Sequence, residues 1–176
     1  MTDTRKPFSL WMMPAEVDAR RLAATITALS REQGVAPFEP HMTVYVGMTA
    51  ALDDVQAAVE AACRDVPAMS LAVRGVGYSD DFFKTYFLNL EPTGPLAALH
   101  ADLRQRLGGV YLLEPHVSLL YKALTPAERQ SLEARHPARL SQVRFDALHL
   151  VTTDDPGGWR AVTSWRTCCK VPLMAR

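Results

Sequence analysis

Cysteine is scarce in this chain of 176 residues, which contains Cys63, Cys168 and Cys169. An odd number with two adjacent members does not form a disulfide framework. Long apolar runs are also absent, since stretches such as residues 8–13 fall far short of the ~20 residues that cross a bilayer. The charged segment at residues 1–6 is not typical of a signal peptide. We therefore expect a cytoplasmic protein that makes no membrane contact.

An excess of charge of one sign is missing as well. Lys and Arg number 19, Asp and Glu number 19, and the formal net charge is zero. A protein that binds extended nucleic acid needs a basic excess, so that partner is not expected. A small anionic ligand remains compatible, because a local site can be positive in a neutral protein. Hydrophobic residues at 48% and charged residues at 22% are typical of a folded globular chain.

Hydrophobic periodicity predicts strands that alternate with helices. The predicted strands are residues 8–13, 41–46, 69–73, 85–90, 116–121, 143–151 and 162–171. The predicted helices are residues 17–33, 52–65, 95–107 and 125–135, the last opening with a Thr-Pro-Ala-Glu capping pattern. Gly75 and Gly77 are interpreted as a turn that follows the third strand, and residues 154–158 as a loop.

A five-residue phrase occurs twice in the chain. Residues 39–43 read Glu-Pro-His-Met-Thr, and residues 114–118 read Glu-Pro-His-Val-Ser. The histidines, His41 and His116, lie 75 positions apart (116 − 41). Each falls at the start of the second strand of a predicted strand-helix-strand unit. A phrase repeated at the same place in two similar segments indicates an internal duplication.

The repeated phrase also predicts a chemistry. Alternate residues of a strand project to the same face, so His41 and Thr43 project together. The same holds for His116 and Ser118. If the two halves pair about a pseudo-twofold axis, both imidazole–hydroxyl pairs face one cleft. Imidazoles exchange protons near neutral pH and small hydroxyls suit phosphoryl oxygens, which predicts in-line displacement at phosphorus.

In that reaction one histidine takes a proton from the attacking water, and the other gives a proton to the departing oxygen. The residues leave open which histidine has which role. Two imidazoles with pKa values near ~6.5 predict a bell-shaped pH–rate curve. The histidines show no metal-ligand spacing with a carboxylate or thiol, so neither a metal nor another cofactor is expected.

The paired His-x-Thr and His-x-Ser motifs resemble those of the two-histidine (2H) phosphoesterase superfamily. Within it, Pro-His-x-Ser-Leu-Leu-Tyr at 115–121 and Ser-Leu-Trp-x-x-Pro at 9–14 are most similar to the cyclic phosphodiesterase branch. The resemblance implies a bilobal α/β (α+β) fold with two pseudo-symmetric lobes, each an antiparallel sheet with helices outside, around a central cleft. Residues 1–176 would then form a single domain, with approximate halves 1–80 and 81–176 in intertwined lobes.

The resemblance also implies roles for individual residues. It implies that His41 and His116 are catalytic and that Thr43 and Ser118 hold the phosphate. It further implies that Tyr121 and Trp11 border the substrate. The family's known substrates are 2′,3′-cyclic nucleotides, RNA ends with such phosphates, and ADP-ribose 1″,2″-cyclic phosphate. We expect a monomer that takes a small cyclic-phosphate nucleotide.

Three of these assignments have competing interpretations. Tyr121 lies five residues after His116, so in a regular strand it points to the opposite face and packs in the core unless the strand twists or bulges. Trp11 is either a substrate contact or a core residue. Residues 82–84, Phe-Phe-Lys, either cover a nucleobase or return to the core, and the second interpretation is favoured.

The sequence thus predicts a metal-independent cyclic phosphodiesterase that leaves a phosphomonoester. One alternative is an RNA-end phosphodiesterase related to 2′-5′ RNA ligases. It needs a basic groove, and the neutral charge and the absence of a Lys/Arg run beyond Arg20-Arg21 count against it. A second alternative is a nucleotide-binding module without turnover. The presence of all four motif residues argues against it, because a site that has lost its activity usually lacks one of them.

Overall fold

Seven strands and four helices make up the computed structural model, which describes residues 5–155 and 158–175. The strands are β1 (Lys6–Pro14), β2 (Met42–Thr49), β3 (Met69–Tyr78), β4 (Tyr86–Leu90), β5 (His116–Leu120), β6 (Gln142–Thr153) and β7 (Trp165–Pro172). The helices are α1 (Glu16–Gln33), α2 (Leu52–Cys63), α3 (Gly94–Leu107) and α4 (Pro126–Arg135). Every predicted strand and helix is present. Most of the N-terminal segment and part of the predicted loop at 154–158 (Pro156 and Gly157) lie outside the described residues.

The seven strands pair antiparallel throughout, and β6 joins two groups of them. The order is β2-β1-β6-β3-β4-β5, with β7 also bonded to β6. The first residues of β6, 142–145, pair with β3, whereas its later residues pair with β1 and β7. One lobe therefore holds β2, β1, β6 and β7, and the other holds β3, β4 and β5. The predicted α+β architecture of two antiparallel lobes is confirmed.

Two of the helices pack across the lobes, onto the strands that begin at the repeated phrases. Helix α1 buries Leu22, Ile26 and Leu29, which share one helical face, and it ends at Gly34 in a left-handed conformation (φ 68°). It follows β1 in the chain but packs on β5 as well as on β1. Helix α3 follows β4 but packs on β2, and β2 also contacts β5. The strands that begin at the two repeated phrases are therefore held side by side.

The prediction of a turn at Gly75 and Gly77 was wrong, because β3 continues through both to Tyr78. The register of β3 against β4 shifts between Val73 and Gly75, where Gly75 adopts a φ of 125° that favours glycine. At Gly77 an added Cβ would lie 2.7 Å from the ring of Phe87. Gly75 lies at a β-bulge, and Gly77 leaves room for the ring of Phe87. Neither glycine reverses the chain.

The described residues include no helix that combines the length and the hydropathy needed to cross a membrane.

Candidate active site

Both repeated histidines line one cavity of about 390 Å³. Its walls come from β1 and β2 on one side and from β5 and the 3-10 helix Phe82–Lys84 on the other. All six residues singled out in the sequence reach this cavity: Trp11, His41, Thr43, His116, Ser118 and Tyr121. The remaining lining residues are Ser9, Val46, Asp81, Phe83, Lys84, Tyr111, Leu112, Glu114, Trp159 and Trp165.

The two imidazoles are held by the same hydrogen bond. Nδ1 of His41 lies 2.7 Å from the backbone carbonyl oxygen of Glu39, and Nδ1 of His116 lies 2.6 Å from that of Glu114. A carbonyl oxygen can only accept, so Nδ1 carries the hydrogen in each ring. Nε2 is then the nitrogen that can exchange a proton with a ligand in the cavity. The Glu-Pro-His spacing builds this anchor twice.

An aromatic ring supports each imidazole at equivalent places in the two lobes. Trp11 pairs with Thr43 across β1 and β2, and Phe87 pairs with Ser118 across β4 and β5. A register shift lies immediately before each ring. Trp11 stacks on the His41 ring with centroids 3.7 Å apart, and Phe87 meets His116 edge-on at 5.4 Å. The pseudo-twofold relation therefore extends beyond the repeated phrase.

The His41 side of the site is aromatic and buried. The imidazole is 7% exposed, and the rings of Trp165 and Phe38 approach it at 5.7 and 6.4 Å. The pKa of His41 is lowered to about 4, mainly by this burial and to a smaller extent by the positive charge of His116, and the hydrogen bond to the Glu39 carbonyl opposes the shift. His41 is therefore neutral at pH 7.

The His116 side of the site is charged. The Lys84 ammonium forms an ion pair with the Glu114 carboxylate and lies 5.0 Å from the centroid of the Phe87 ring. Burial lowers the pKa of His116, and the Glu114 carbonyl opposes this effect. Lys84 lowers that pKa further, whereas the carboxylates of Glu114 and Asp81 raise it. The two imidazoles thus have matching anchors and contrasting surroundings.

The two hydroxyl residues differ in their present hydrogen bonds. Thr43 is half-buried and Ser118 is buried, and both reach the cavity. The Ser118 hydroxyl donates to the backbone carbonyl of Phe83 over 2.6 Å. To donate to a ligand, the Ser118 hydroxyl has to rotate away from that carbonyl.

Tyr121 combines the two interpretations that its spacing left open. It is 8% exposed and its ring stacks on Phe38 at 3.9 Å, as a core residue would, yet it also lines the cavity. Strand β5 ends at Leu120, so the alternation of faces no longer applies to the next residue. Burial raises the pKa of Tyr121, and a hydrogen bond with Ser118 opposes this shift.

All three tryptophans of the chain line the cavity. Trp11 is 3% exposed and its Nε1 donates to the Ser9 hydroxyl over 2.7 Å. The ring of Trp165 meets Trp11 edge-on at 5.0 Å, and its Nε1 donates to the Trp159 carbonyl over 3.0 Å. Sequence reasoning missed Trp159 and Trp165. The available signal was that two of the three tryptophans lie within seven residues, beside a predicted loop.

Residues 82–84 are divided between the two roles considered for them. They form a 3-10 helix capped by Asp81, whose carboxylate accepts from the Phe83 N–H at 2.8 Å. Phe82 and Phe83 both pack against the core, and Phe83 and Lys84 also line the cavity.

Within residues 5–155 and 158–175, no group of three or more His, Cys, Asp or Glu side chains is arranged to hold a metal ion.

The family model of the 2′-5′ RNA ligase superfamily matches residues 13–157, which is most of the chain. The chain belongs to the 2′-5′ RNA ligase superfamily. This result confirms the resemblance to the two-histidine phosphoesterases, because the repeated histidine motifs lie within the matched residues.

Two curated proteins show sequence similarity to this chain. A cyclic phosphodiesterase of Arabidopsis thaliana is 28% identical over 91% of each chain. A 2′,3′-cyclic-nucleotide 3′-phosphodiesterase of Yarrowia lipolytica is 30% identical over 76% of this chain and 65% of its own length.

Solved structures share the fold at lower identity. LigT of Escherichia coli in its apo form superimposes with a TM-score of 0.68 at 16% identity, covering 97% of this chain and 98% of LigT. A protein of Thermus thermophilus gives a TM-score of 0.66 at 19% identity, covering 97% of this chain and 99% of its own. LigT has also been crystallised with 3′-AMP. At these identities the likeness establishes the fold alone.

Proposed function

We propose that this protein is a cyclic phosphodiesterase that uses water to open the five-membered ring of a nucleoside 2′,3′-cyclic phosphate or a similar ester. The observation that carries the proposal is the shared cavity of His41 and His116, in which each Nδ1 is bonded to a carbonyl and each Nε2 is left for a ligand. The two curated relatives, named as a cyclic phosphodiesterase and as a 2′,3′-cyclic-nucleotide 3′-phosphodiesterase, support the same reaction class.

The contrasting surroundings of the two histidines support different roles for them in the proposed reaction. His41 lies among aromatic rings and is neutral at pH 7, so its Nε2 accepts the proton of the attacking water. Burial and the Lys84 ammonium lower the pKa of His116, and the carboxylates of Glu114 and Asp81 oppose this shift by favouring its protonated form. An anionic substrate favours that form further. His116 is therefore the general acid of the proposal.

The proposed reaction is a single displacement at phosphorus. The water oxygen bonds to phosphorus as its proton passes to Nε2 of His41, and the bond from phosphorus to the ester oxygen breaks. That oxygen takes the proton from Nε2 of His116, and exchange with solvent returns both histidines to their starting states. For a nucleoside 2′,3′-cyclic phosphate we propose that the 3′-oxygen leaves and a 2′-phosphate remains. Thr43 and Ser118 donate to the non-bridging oxygens.

A substrate panel tests the proposal. Nucleoside 2′,3′-cyclic phosphates and ADP-ribose 1″,2″-cyclic phosphate are incubated with the protein in EDTA, and phosphorus NMR identifies the product isomer. We expect hydrolysis of a nucleoside 2′,3′-cyclic phosphate to the 2′-monoester, with no loss of rate in the chelator. Absence of turnover across the panel, or turnover only after a divalent ion is added, would refute the proposal.

The pH dependence of kcat/KM is expected to be bell-shaped with a maximum below neutral pH. His41 must be neutral, so the rate rises with pH through its pKa of about 4. His116 must be protonated, so the rate falls as pH rises through a pKa that burial holds below the ordinary ~6.5. The maximum is therefore expected at lower pH than for two imidazoles with ordinary pKa values. A stopped assay from about pH 3.5 to 8.5 measures it, and a maximum above pH 7 contradicts the assigned environments.

A further inference from the structure

Lys84 contacts both of the groups that support the His116 imidazole. Its ammonium forms an ion pair with the Glu114 carboxylate and lies 5.0 Å from the centroid of the Phe87 ring. The backbone carbonyl of Glu114 accepts the hydrogen bond from Nδ1 of His116, and the Phe87 ring meets the imidazole edge-on. The Lys84 side chain is 25% exposed and lines the cavity together with His116. One ammonium therefore connects both supports of this imidazole.

The His41 side of the cavity has no such cation among the described lining residues. Apart from the two histidines, Lys84 is the basic side chain among them. The lining residues of β1 and β2 contribute aromatic, hydroxyl and apolar groups beside His41. The Glu-Pro-His anchor is therefore present twice, whereas the charge pair is added to one copy only. A difference of this kind between otherwise matching halves points to a task that belongs to His116 alone.

We propose that Lys84 is a positioning residue for His116: its ion pair with Glu114 fixes the segment that anchors the imidazole, and its charge offsets the carboxylate beside the ring. The inference rests on the proposed function, because it concerns how His116 acts as the acid of that reaction. It gives a role to a side chain outside the repeated histidine–hydroxyl pairs. Lys84 exerts this role through Glu114 and Phe87 rather than by contact with the reacting atoms.

The carboxylate of Glu114 would oppose the reaction in two ways if its charge were not balanced. A carboxylate beside an imidazole stabilises the protonated form, which makes that imidazole a weaker acid. It also repels an anionic phosphate ester in the same cavity. The Lys84 ammonium reduces both effects, because it is paired with that carboxylate. The pKa of His116 is lowered mainly by burial and also by Lys84, and it is raised by the carbonyl and the carboxylate of Glu114.

Besides the ion pair, four of the described residues that line the cavity with His116 are titratable: Asp81, His41, Tyr111 and Tyr121. Asp81 raises the pKa of His116 and is left unchanged in every variant compared below. His41, with a pKa of about 4, is already neutral on the alkaline side of the pH–rate curve. Burial raises the pKa of Tyr111 to about 12 and also raises that of Tyr121. The alkaline limb of the curve therefore reports on His116 and its charged neighbours.

Each partner of the ion pair can be neutralised with little change in shape. Lys84→Met keeps an unbranched side chain of similar length and removes the charge. Glu114→Gln keeps the backbone carbonyl that anchors His116 and removes the carboxylate. Lys84→Arg is the conservative variant, because a guanidinium is positively charged and can still pair with the Glu114 carboxylate.

The test is the ratio of kcat/KM at about pH 8 to kcat/KM at the optimum, measured within each variant on adenosine 2′,3′-cyclic phosphate. On the alkaline limb this ratio follows the fraction of His116 that is protonated. We expect Lys84→Met to raise the ratio about threefold and Glu114→Gln to lower it about threefold, because they remove opposite charges near the ring. Lys84→Arg should match the wild type. The double variant with Lys84→Met and Glu114→Gln should return close to the wild-type ratio.

Arg74→Met and Glu91→Gln are the matched controls. Arg74 and Glu91 form an exposed ion pair in the same lobe, and neither residue lines the cavity, so both controls should leave the ratio unchanged. Circular dichroism verifies the fold of each variant, and Lys84→Gln replaces Lys84→Met if the methionine variant does not fold.

An ion pair with only a structural role would move the ratio in one direction, or not at all, whichever partner is lost. Shifts of the same sign in Lys84→Met and Glu114→Gln, or shifts no larger than those of the controls, would therefore overturn the inference and leave the proposed function intact. A shift in Lys84→Arg as large as that in Lys84→Met would overturn it as well. If the wild type does not hydrolyse the substrate at any pH, the proposed function is refuted and the inference with it.

Discussion

Replacing either repeated histidine with alanine is expected to lower kcat by about 10²–10⁴-fold, because each removes one of the two proton transfers in the proposed step. The asparagine variants sharpen the test. An asparagine amide can still donate to the carbonyl of Glu39 or Glu114, so it keeps the anchor and lacks the titrating nitrogen. His41→Asn and His116→Asn should therefore be about as inactive as the alanine variants.

Steady-state kinetics with adenosine 2′,3′-cyclic phosphate measures these effects. His136→Ala is the control, since His136 pairs with Glu32 and does not line the cavity. The double variant should lose little more than the single variants, because the two groups act in one step. If either single variant keeps more than about a tenth of the wild-type kcat, that histidine is not a proton-transfer group.

Truncating Trp11 is expected to have the largest effect on stability. The indole is buried, stacks on His41, and contacts the ring of Trp165, so Trp11→Ala removes a packed ring from the centre of the site. Removal of a buried large aromatic costs about 3–5 kcal/mol of unfolding free energy. Urea denaturation followed by circular dichroism measures the loss.

Trp11→Phe is the matched variant for this position. It retains a ring that can stack on His41 but loses the Nε1 hydrogen bond to Ser9 and part of the buried indole surface, so we expect a loss of about 1–2 kcal/mol. The alanine variant should also lower activity through misplacement of His41, and the phenylalanine variant should recover most of it. A Trp11→Ala protein within about 1 kcal/mol of wild type would show that the indole is not a structural support.

Much of the candidate site could be predicted from the repeated phrase alone. Its spacing indicates that each histidine lies at the start of a strand. It also indicates that the hydroxyl residue two positions later projects from the same face, because both properties depend on local geometry. The same phrase brings Glu39 and Glu114 to the positions from which their carbonyls anchor the rings. Most elements were also predictable, since hydrophobic periods such as that of α1 reflect which face is buried.

The features that were missed depend on pairing between distant segments. Strand β3 runs through Gly75 and Gly77 because its hydrogen bonds to β4 outweigh the local preference of glycine for a turn. Trp165 reaches His41 only because β7 pairs with β6, which in turn pairs with β1. The ion pair of Lys84 with Glu114 joins residues that are 30 positions apart. No local pattern encodes these contacts.

The shared strand β6 has a consequence for how the protein admits its ligand. Because one continuous backbone is hydrogen-bonded into both lobes, the lobes cannot swing apart like the jaws of a clamp without breaking rungs of the ladder. The two imidazoles belong to different lobes, so the shared strand limits how far they can move apart. We therefore expect a ligand to enter and leave through movements of the segments around the cavity rather than by separation of the lobes.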